Sequence, residues 1–191
     1  MASGAPASDH ACIPADSVDR LLAQWAAVRP DLDFTPVGVI SRLGRVRSHV
    51  DSELNRVFAA HGLTAPSFGV LVTLARLDDP DGVPQRRLMD ELGLTSGTVS
   101  VRMDRLAEQG LIERRPDPDD RRNSRIAMTA RGRELFERIV PEHLDNERRV
   151  LAALSPGEQD LLAALLRKLL VEFEGSVPPD DAPLRLGLTV A

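Results

Sequence analysis

The segment that decides the fold runs from Leu88 to Gly132. It begins with LMDELGLTSGTVSVRMDRL (residues 88–106) and continues with GLIERRP (residues 110–116) and DDRR (residues 119–122). This order predicts a short helix, a turn, a second helix and then a strand–loop–strand unit rich in arginine. Such a winged helix-turn-helix presents one helix and one loop to DNA.

The second helix of this segment, predicted over residues 95–109, has two different faces. Val99, Met103 and Leu106 recur at helical spacing and are expected to hold the helix on its scaffold. The other side carries small hydroxyl residues, which allow close approach to base edges, and arginine, which binds phosphates or bases. The residues expected to contact DNA here are Ser96, Thr98, Ser100 and Arg105. Taken alone, the pattern also fits an ordinary amphipathic helix with a solvated face.

The loop between the two predicted strands, residues 116–124, places acidic and basic side chains close together. Asp120 precedes Arg122 by two positions, so its carboxylate can brace the loop while the guanidinium points outward. An extended arginine on a narrow loop fits the minor groove, where negative potential concentrates. Arg121 and Arg122 are therefore expected to contact DNA, with Asp120 as wing support. The alternative is a solvated turn with an incidental ion pair.

Composition indicates a globular protein with an acidic body and a basic segment. Of the 191 residues, 42% are hydrophobic and only 3% aromatic, which favours a core of aliphatic side chains between helices. The net charge of −5 argues against a nonspecific nucleic-acid coat protein. Residues 111–133 nevertheless contain seven arginines and four acidic residues. A local positive segment on an acidic protein is expected for a DNA-binding protein with little nonspecific binding.

The sequence also indicates the cellular setting. The single cysteine, Cys12, excludes an intramolecular disulfide. No apolar run is long enough to cross a bilayer, and the first 15 residues lack the pattern of a secretory signal. We therefore expect a cytoplasmic protein with no membrane partner.

The chain as a whole is predicted to be mainly α-helical with a small β-wing. Residues 1–15 are expected to be disordered, and residues 16–29 to form an added N-terminal helix. Residues 63–129 would form the winged helix-turn-helix domain. Residues 35–62 and 130–175 would form a helical dimerisation region, and residues 176–191 a C-terminal tail.

Two long apolar stripes lead to the dimerisation prediction. One stripe lies on the helix that starts at a predicted cap at Thr35, and its apolar residues run from Val39 to Phe58. The other stripe lies on the last helix, which starts at a capping box between Ser155 and Glu158, and it consists of leucines between residues 161 and 170. The stripes fit either an intramolecular core or a dimer seam shared by both helices. The seam is favoured because no separate core is large enough to cover both.

Together these segments resemble the multiple antibiotic resistance regulator (MarR) family of winged-helix repressors, over about residues 35–175. The resemblance is carried by GLT at residues 62–64, by the segment from Leu88 to Arg114, and most specifically by the DDRR loop. It implies a homodimer joined through N- and C-terminal helices. Two recognition helices would enter successive major grooves of a palindromic operator, with half-sites about one helical turn apart.

The added N-terminal helix resembles the branch of this family that responds to urate and related purines. The resemblance implies a ligand pocket that includes Trp25, Arg102 and Arg114. Gly69 stands where that branch has an acid, and a glycine supplies neither the charge nor the side-chain hydrogen bond. We therefore expect a small effector that is purine-like or another aromatic or organic acid.

Single features of the sequence also fit other functions. Cys12 could sense oxidation, although no lysine or arginine nearby activates its thiol. A non-regulatory helical interaction protein is a further alternative. The four histidines (residues 10, 49, 61 and 143) show no metal-ligand spacing, and no nucleophile motif or phosphate loop is present. No catalytic residue, metal or cofactor is therefore expected.

Overall fold

The structure, a computed structural model, describes residues 14–93, 95–118 and 124–175. Within these ranges the chain forms helices and three short strands, which confirms the predicted mainly helical fold with a small wing. The helices are α1 (Ser17–Val28), α2 (Thr35–Ala60), α3 (Ala65–Leu77), α4 (Gln85–Leu92), α5 (Ser96–Glu108), α6 (Ala130–Val150) and α7 (Pro156–Glu174). The strands are β1 (Val83–Pro84), β2 (Ile112–Pro116) and β3 (Ser124–Met128).

The chain divides into two compact units, Met1–His49 and Val50–Ala191, and the division falls within α2. In the first unit, α1 begins where the sequence predicts, with Asp16 as its N-cap. The Asp16 carboxylate accepts the backbone N–H of Val18 at 2.7 Å and of Asp19 at 3.0 Å. The Asp19 carboxylate in turn accepts the Asp16 N–H at 2.8 Å, which completes a capping box.

The start of α2 differs from the prediction. Thr35 is the first helical residue and not the cap, because the carboxylate of Asp33 accepts the Thr35 N–H at 2.9 Å. The Asp33 carboxylate thus accepts one of the N–H groups that have no acceptor within the helix at its start. The hydrogen bonds from the Thr35 side chain and backbone lower the pKa of Asp33.

The second unit has one aliphatic and aromatic core. Phe58 from the end of α2 stacks on Phe68 of α3, with ring centroids 4.5 Å apart. Every helix from α2 to α6 contributes a fully buried side chain to this core. They include Phe58, Phe68, Leu71, Leu88, Met103, Leu106 and Ile139.

A three-stranded antiparallel sheet of order β1-β3-β2 closes the unit. Ile112 pairs with Met128 and Pro116 with Ser124, so β2 and β3 form the wing ladder. β1 was not predicted. It consists of two residues, of which Val83 pairs with Ile126, and so short a strand has no alternation that a sequence pattern could show.

The turn from the wing into α6 requires a glycine. Thr129 caps α6 by accepting the Gly132 N–H at 3.0 Å, and its own hydroxyl donates to the Gly110 carbonyl at 2.7 Å. A Cβ atom at Gly132 would lie 2.0 Å from the Leu111 carbonyl oxygen. The helix then continues through Pro141 to Val150.

α7 begins at the predicted capping box, which is confirmed. The Ser155 hydroxyl accepts the Glu158 N–H, and the Glu158 carboxylate accepts the Ser155 N–H at 2.8 Å. None of the residues of α7 is buried. Its exposed apolar side chains are Leu161, Leu162, Leu165, Leu166, Leu169, Leu170, Val171 and Phe173.

Among the described residues, no single helix is long and apolar enough to cross a membrane. Only α2 and α3 taken together have the required length and hydropathy, and a bend of 77° separates them.

Candidate nucleic-acid interface

Gly93 follows α4, and Thr95 precedes α5. Gly93 is the C-cap of α4, and its φ of 62° lies in the left-handed region that glycine adopts without strain. An ion pair between Arg76 of α3 and the buried Glu91 of α4 ties these two helices together. Thr95 then adopts an extended conformation as the N-cap of α5. The predicted helix–turn–helix order is therefore present.

α5 has a fully buried face, and it is the one that the sequence predicts. Val99, Met103 and Leu106 have no solvent exposure. Residues at i, i+4 and i+7 share one side of a helix. Burial of these three side chains therefore fixes which side of α5 faces the core. The opposite side therefore faces outward from the second unit.

The structure places the predicted DNA-contacting residues of α5 in different settings. Thr98 and Arg105 are exposed, and the Arg105 side chain has no ion-pair or hydrogen-bond partner among the described residues. Ser100 is half-buried and lies at the edge of the outward face. Ser96 is the first residue of α5, and its side chain lies outside the described part of the structure.

Two residues of the outward face were missed by the sequence analysis. Val101 is 70% exposed and lies between Thr98 and Arg105 on the outward face. Gly97 precedes it by one helical turn, and no atom lies within 4 Å of the position of a Cβ there. The spacing of residues 97, 98, 101 and 105 could have revealed this row, since they follow the helical repeat opposite Val99.

The arginines of the wing strands are largely engaged in ion pairs. Arg114 of β2 contacts Asp104 of α5 at 2.8 Å. Arg115 contacts Glu113 at 2.6 Å and donates to the Pro80 carbonyl at 2.9 Å. Among the described arginines of this segment, these side chains are therefore already paired with carboxylates. Arg131 and Arg133 are exposed and have no partner among the described residues.

Arg125 of β3 holds the base of the wing. Its guanidinium donates to the Gly82 carbonyl and to the Asp79 carboxylate, both at 2.8 Å. A second carboxylate, that of Asp117, lies 3.7 Å away. The side chain is only 17% exposed, so this arginine has a structural role. The predicted wing-tip residues Asp120, Arg121 and Arg122 lie outside the described residues.

The residues predicted to bind an effector are found in both units. In the second unit, Arg102 is half-buried on α5 and has no ion-pair partner among the described residues. Burial lowers the pKa of its guanidinium from the ordinary value. Arg114 is held by Asp104, as described above. Gly69 is buried in α3, and its carbonyl accepts the hydroxyl of Thr73 at 2.9 Å.

In the first unit, Trp25 of α1 stacks on Phe34, with ring centroids 5.4 Å apart. The indole remains 44% exposed. One face is therefore covered by an aromatic ring from the same unit, while part of the side chain stays open to solvent.

Two of the described histidines, His61 and His143, contact neighbouring side chains of the second unit, whereas His49 is exposed on α2. His61 contacts Glu142 at 2.8 Å, and His143 packs against Phe58 with centroids 5.3 Å apart. In the described ranges, no group of three or more His, Cys, Asp or Glu side chains could hold a metal ion. Cys12 and His10 lie outside these ranges.

Comparison with known sequences agrees with this geometry. The family model described as MarR family matches residues 61–123. The HTH-type transcriptional regulator PecS of Dickeya dadantii is 37% identical over 152 residues, which cover 80% of this chain and 92% of PecS. The transcriptional repressor MprA of Escherichia coli K12 is 30% identical, over 82% of this chain and 89% of MprA.

Solved structures show the same architecture. A mutant of MarR from Escherichia coli, in complex with operator DNA, superposes with a TM-score of 0.63 at 26% identity. The match covers 72% of this chain and 97% of that one. The PcaV transcriptional regulator from Streptomyces coelicolor superposes with a TM-score of 0.62, also at 26% identity, over 73% of this chain and 98% of PcaV.

Proposed function

This chain belongs to the MarR family of DNA-binding transcriptional regulators, and we propose that it is a homodimeric repressor released from a palindromic operator by a small anionic or aromatic effector. Family membership confirms the prediction that the protein is a regulator and not an enzyme. In the proposed division of labour, residues 63–129 read DNA. Residues 35–62 and 130–175 join two copies, and residues 16–29 contribute to effector binding.

The outward face of α5 is the observation that carries the proposal of operator reading. Its three anchoring residues are fully buried, so the exposed Thr98, Val101 and Arg105 are held in a fixed orientation. A rigid helix with a free guanidinium and small side chains has the form needed to enter a major groove. One solved relative was crystallised with operator DNA, and another is named a transcriptional repressor.

The exposed apolar surface of α7 supports the proposal of a homodimer. Leu161 and Leu165 are 60% and 50% exposed, and the other leucines of the helix are open as well. In the first unit, Val39, Ile40 and Val46 of α2 are also more than half exposed. An apolar helix face of this extent is costly to expose to water and marks an interaction site. A second copy of the chain is the proposed cover, because a palindromic operator presents two equivalent half-sites.

Two measurements test operator binding and dimerisation together. The full-length protein is titrated against duplexes tiled across the DNA upstream of its own coding region, at fixed moderate salt. We expect saturable binding to one sequence, and a solution mass near twice the chain mass of 20.8 kDa. Equal affinity for all duplexes, or a monomer that binds with full affinity, would refute the proposal.

Arg102 carries the proposal of an anionic or aromatic effector. A half-buried guanidinium without a carboxylate partner loses hydration that an anion can replace by a charge-assisted hydrogen bond. Arg114 can join such a site by exchanging its contact with Asp104 for the effector. The exposed indole of Trp25 offers a surface on which an aromatic ring can stack.

A thermal-shift screen against purines and small aromatic acids tests the effector proposal. Binding to the native state raises the unfolding midpoint by an amount set by the ligand concentration relative to Kd. We expect one compound to raise the midpoint and to release the operator, and expect Arg102→Ala and Trp25→Ala to lose both effects. Arg167→Ala, which removes an exposed arginine from α7, is the control. An unchanged response in both test variants would show that the effector binds elsewhere.

A further inference from the structure

We propose that Val101 reads the C5-methyl group of a thymine in each operator half-site. This inference rests on the proposed function, because it requires α5 to lie in the major groove. A contact with thymine would give α5 a preference for one base. The polar side chains Thr98 and Arg105 do not define such a preference by themselves.

The first argument is that Val101 does not stabilise the folded chain. Its side chain is 70% exposed, so it contributes little to the core. A branched Cβ also loses rotamer freedom in a helix, which makes valine a poorer helix former than alanine. The residue therefore weakens α5 slightly without gaining core contacts. Contact with another molecule would account for it.

The second argument is the position of the side chain. Val101 follows Thr98 by three residues and precedes Arg105 by four, so it lies between two polar groups on the outward face. Gly97, one turn earlier, has no side chain, and the space around it is open. The two methyl groups of Val101 can therefore approach a base edge without interference from the preceding turn.

The third argument is chemical. Of the four bases, only thymine presents a methyl group in the major groove, and apolar side chains are the groups that contact it. A valine in a helix is held almost entirely in one χ1 rotamer, so its methyl groups have a defined direction before DNA binds. Little side-chain entropy is then lost on contact, and the contact discriminates between bases.

The test begins with the operator selected by the full-length wild-type protein from a random pool of duplexes. Each thymine of the half-sites is then replaced by deoxyuridine, which keeps the base pair and removes only the methyl group. Affinity is measured by fluorescence anisotropy at one salt concentration, because protein–DNA affinities depend strongly on salt. The same series is measured with Val101→Ala. Val28→Ala is the matched control, since Val28 of α1 is 69% exposed.

We expect one thymine per half-site at which deoxyuridine weakens wild-type binding by about fourfold, the change that corresponds to one methyl-sized group. Val101→Ala should bind the unmodified operator more weakly and show no further loss at that thymine. Val28→Ala should keep the full wild-type sensitivity. Val101→Ala is expected to fold, since alanine is the better helix former, and its unfolding midpoint verifies this.

Two results would overturn the inference alone. One is a wild-type protein that selects an operator but is insensitive to every thymine methyl group. The other is a Val101→Ala variant that retains the deoxyuridine penalty at every position. A wild-type protein that selects no sequence at all would refute the proposed function, and the inference would fall with it.

Discussion

Arg105 and Arg114 are both arginines of the winged helix-turn-helix, but they differ in what they can bind. Arg114 is paired with Asp104 at 2.8 Å, so its charge is already balanced by α5. Arg105 lies on the exposed face and has no partner among the described residues. Because a free guanidinium is available to a phosphate at no cost of breaking an existing pair, Arg105 is the stronger candidate for a backbone contact.

Replacement of Arg105 by alanine should weaken DNA binding in the same proportion for all sequences. A lost phosphate contact also lowers the slope of log affinity against log salt by about one. Anisotropy titrations at several salt concentrations measure both quantities. Arg167→Ala should change neither. A variant that instead loses affinity only for certain base pairs would show that Arg105 contacts a base and not the backbone.

Asp16 leads to a prediction about pH. Hydrogen bonds from Arg42 are the main cause that lowers the pKa of Asp16 from 3.8 to about 2. A carboxyl group whose pKa is lower in the folded state stabilises the protein above its unfolded value, and this contribution disappears as the pH falls toward the folded value. The ion pair between Asp16 and Arg42 should therefore hold α1 at neutral pH and weaken as the pH falls from about 4 to about 2.

Hydrogen exchange of the α1 backbone amides measures this loosening. At neutral pH we expect Asp16→Asn to lower the protection factors of α1 relative to wild type. As the pH is lowered toward 2, the difference between variant and wild type should vanish, because wild type loses the same charge. Asp160→Asn on α7 controls for the loss of one negative charge. A difference that stays constant over the whole pH range would contradict the role of the ion pair.

Gly132 determines whether the wing can join α6. A Cβ at this position would lie 2.0 Å from the Leu111 carbonyl oxygen and 2.9 Å from Cγ of Met128. Since one of these neighbours is backbone, the collision cannot be relieved by turning a side chain. We expect Gly132→Ala to lower the free energy of unfolding by on the order of 2–3 kcal/mol.

Urea unfolding monitored by circular dichroism tests this expectation. Gly157→Ala is the matched control, because Gly157 also lies in a helix but has no atom within 4 Å of its Cβ position. Alanine there should be neutral or stabilise α7 by up to about 1 kcal/mol. Equal losses in the two variants would mean that the close approach at Leu111 is not what requires glycine.

The elements that the sequence predicts well are those with a strong local pattern. The buried face of α5 follows from apolar spacing, and the capping box at Ser155 follows from a hydroxyl residue placed three positions before a glutamate. β1 could not be predicted, because its two residues become a strand only by pairing with β3.

The ion-pair partners of the arginines could not be predicted from the sequence either. Arg125 meets Asp79 across 46 positions, and Arg114 meets Asp104 between a strand and a helix. Such contacts depend on the tertiary fold, so a count of charges does not show which arginines are already paired. Val101 was not predicted for another reason: DNA contacts are usually expected of polar side chains, and Val101 is an apolar side chain on the outward face.

Assembly of two chains should depend on the apolar surface of α7. Replacement of both Leu161 and Leu165 by glutamine removes two large exposed apolar side chains while leaving the core of the second unit unchanged. We expect this variant to sediment as a single chain and to bind the operator more weakly, because only one half-site is then held at a time.

Analytical ultracentrifugation over a range of concentrations measures this change. Arg167→Gln, a replacement of an exposed residue on the other side of the same helix, should sediment like wild type. A double variant that keeps the wild-type mass would place the interface elsewhere in the chain. A variant that becomes a single chain yet unfolds at a much lower temperature would indicate that folding of the chain and assembly are one process.

The tryptophan fluorescence of this protein comes from one side chain, Trp25. It is the only tryptophan, and the chain contains no tyrosine. Ultraviolet emission in the tryptophan band therefore originates from a single indole on α1, stacked on Phe34 and 44% exposed. No fluorescent label or background correction for other indoles is needed. Any compound that shifts or quenches this emission reports on one place in the chain, and acrylamide quenching reads the accessibility of that same place.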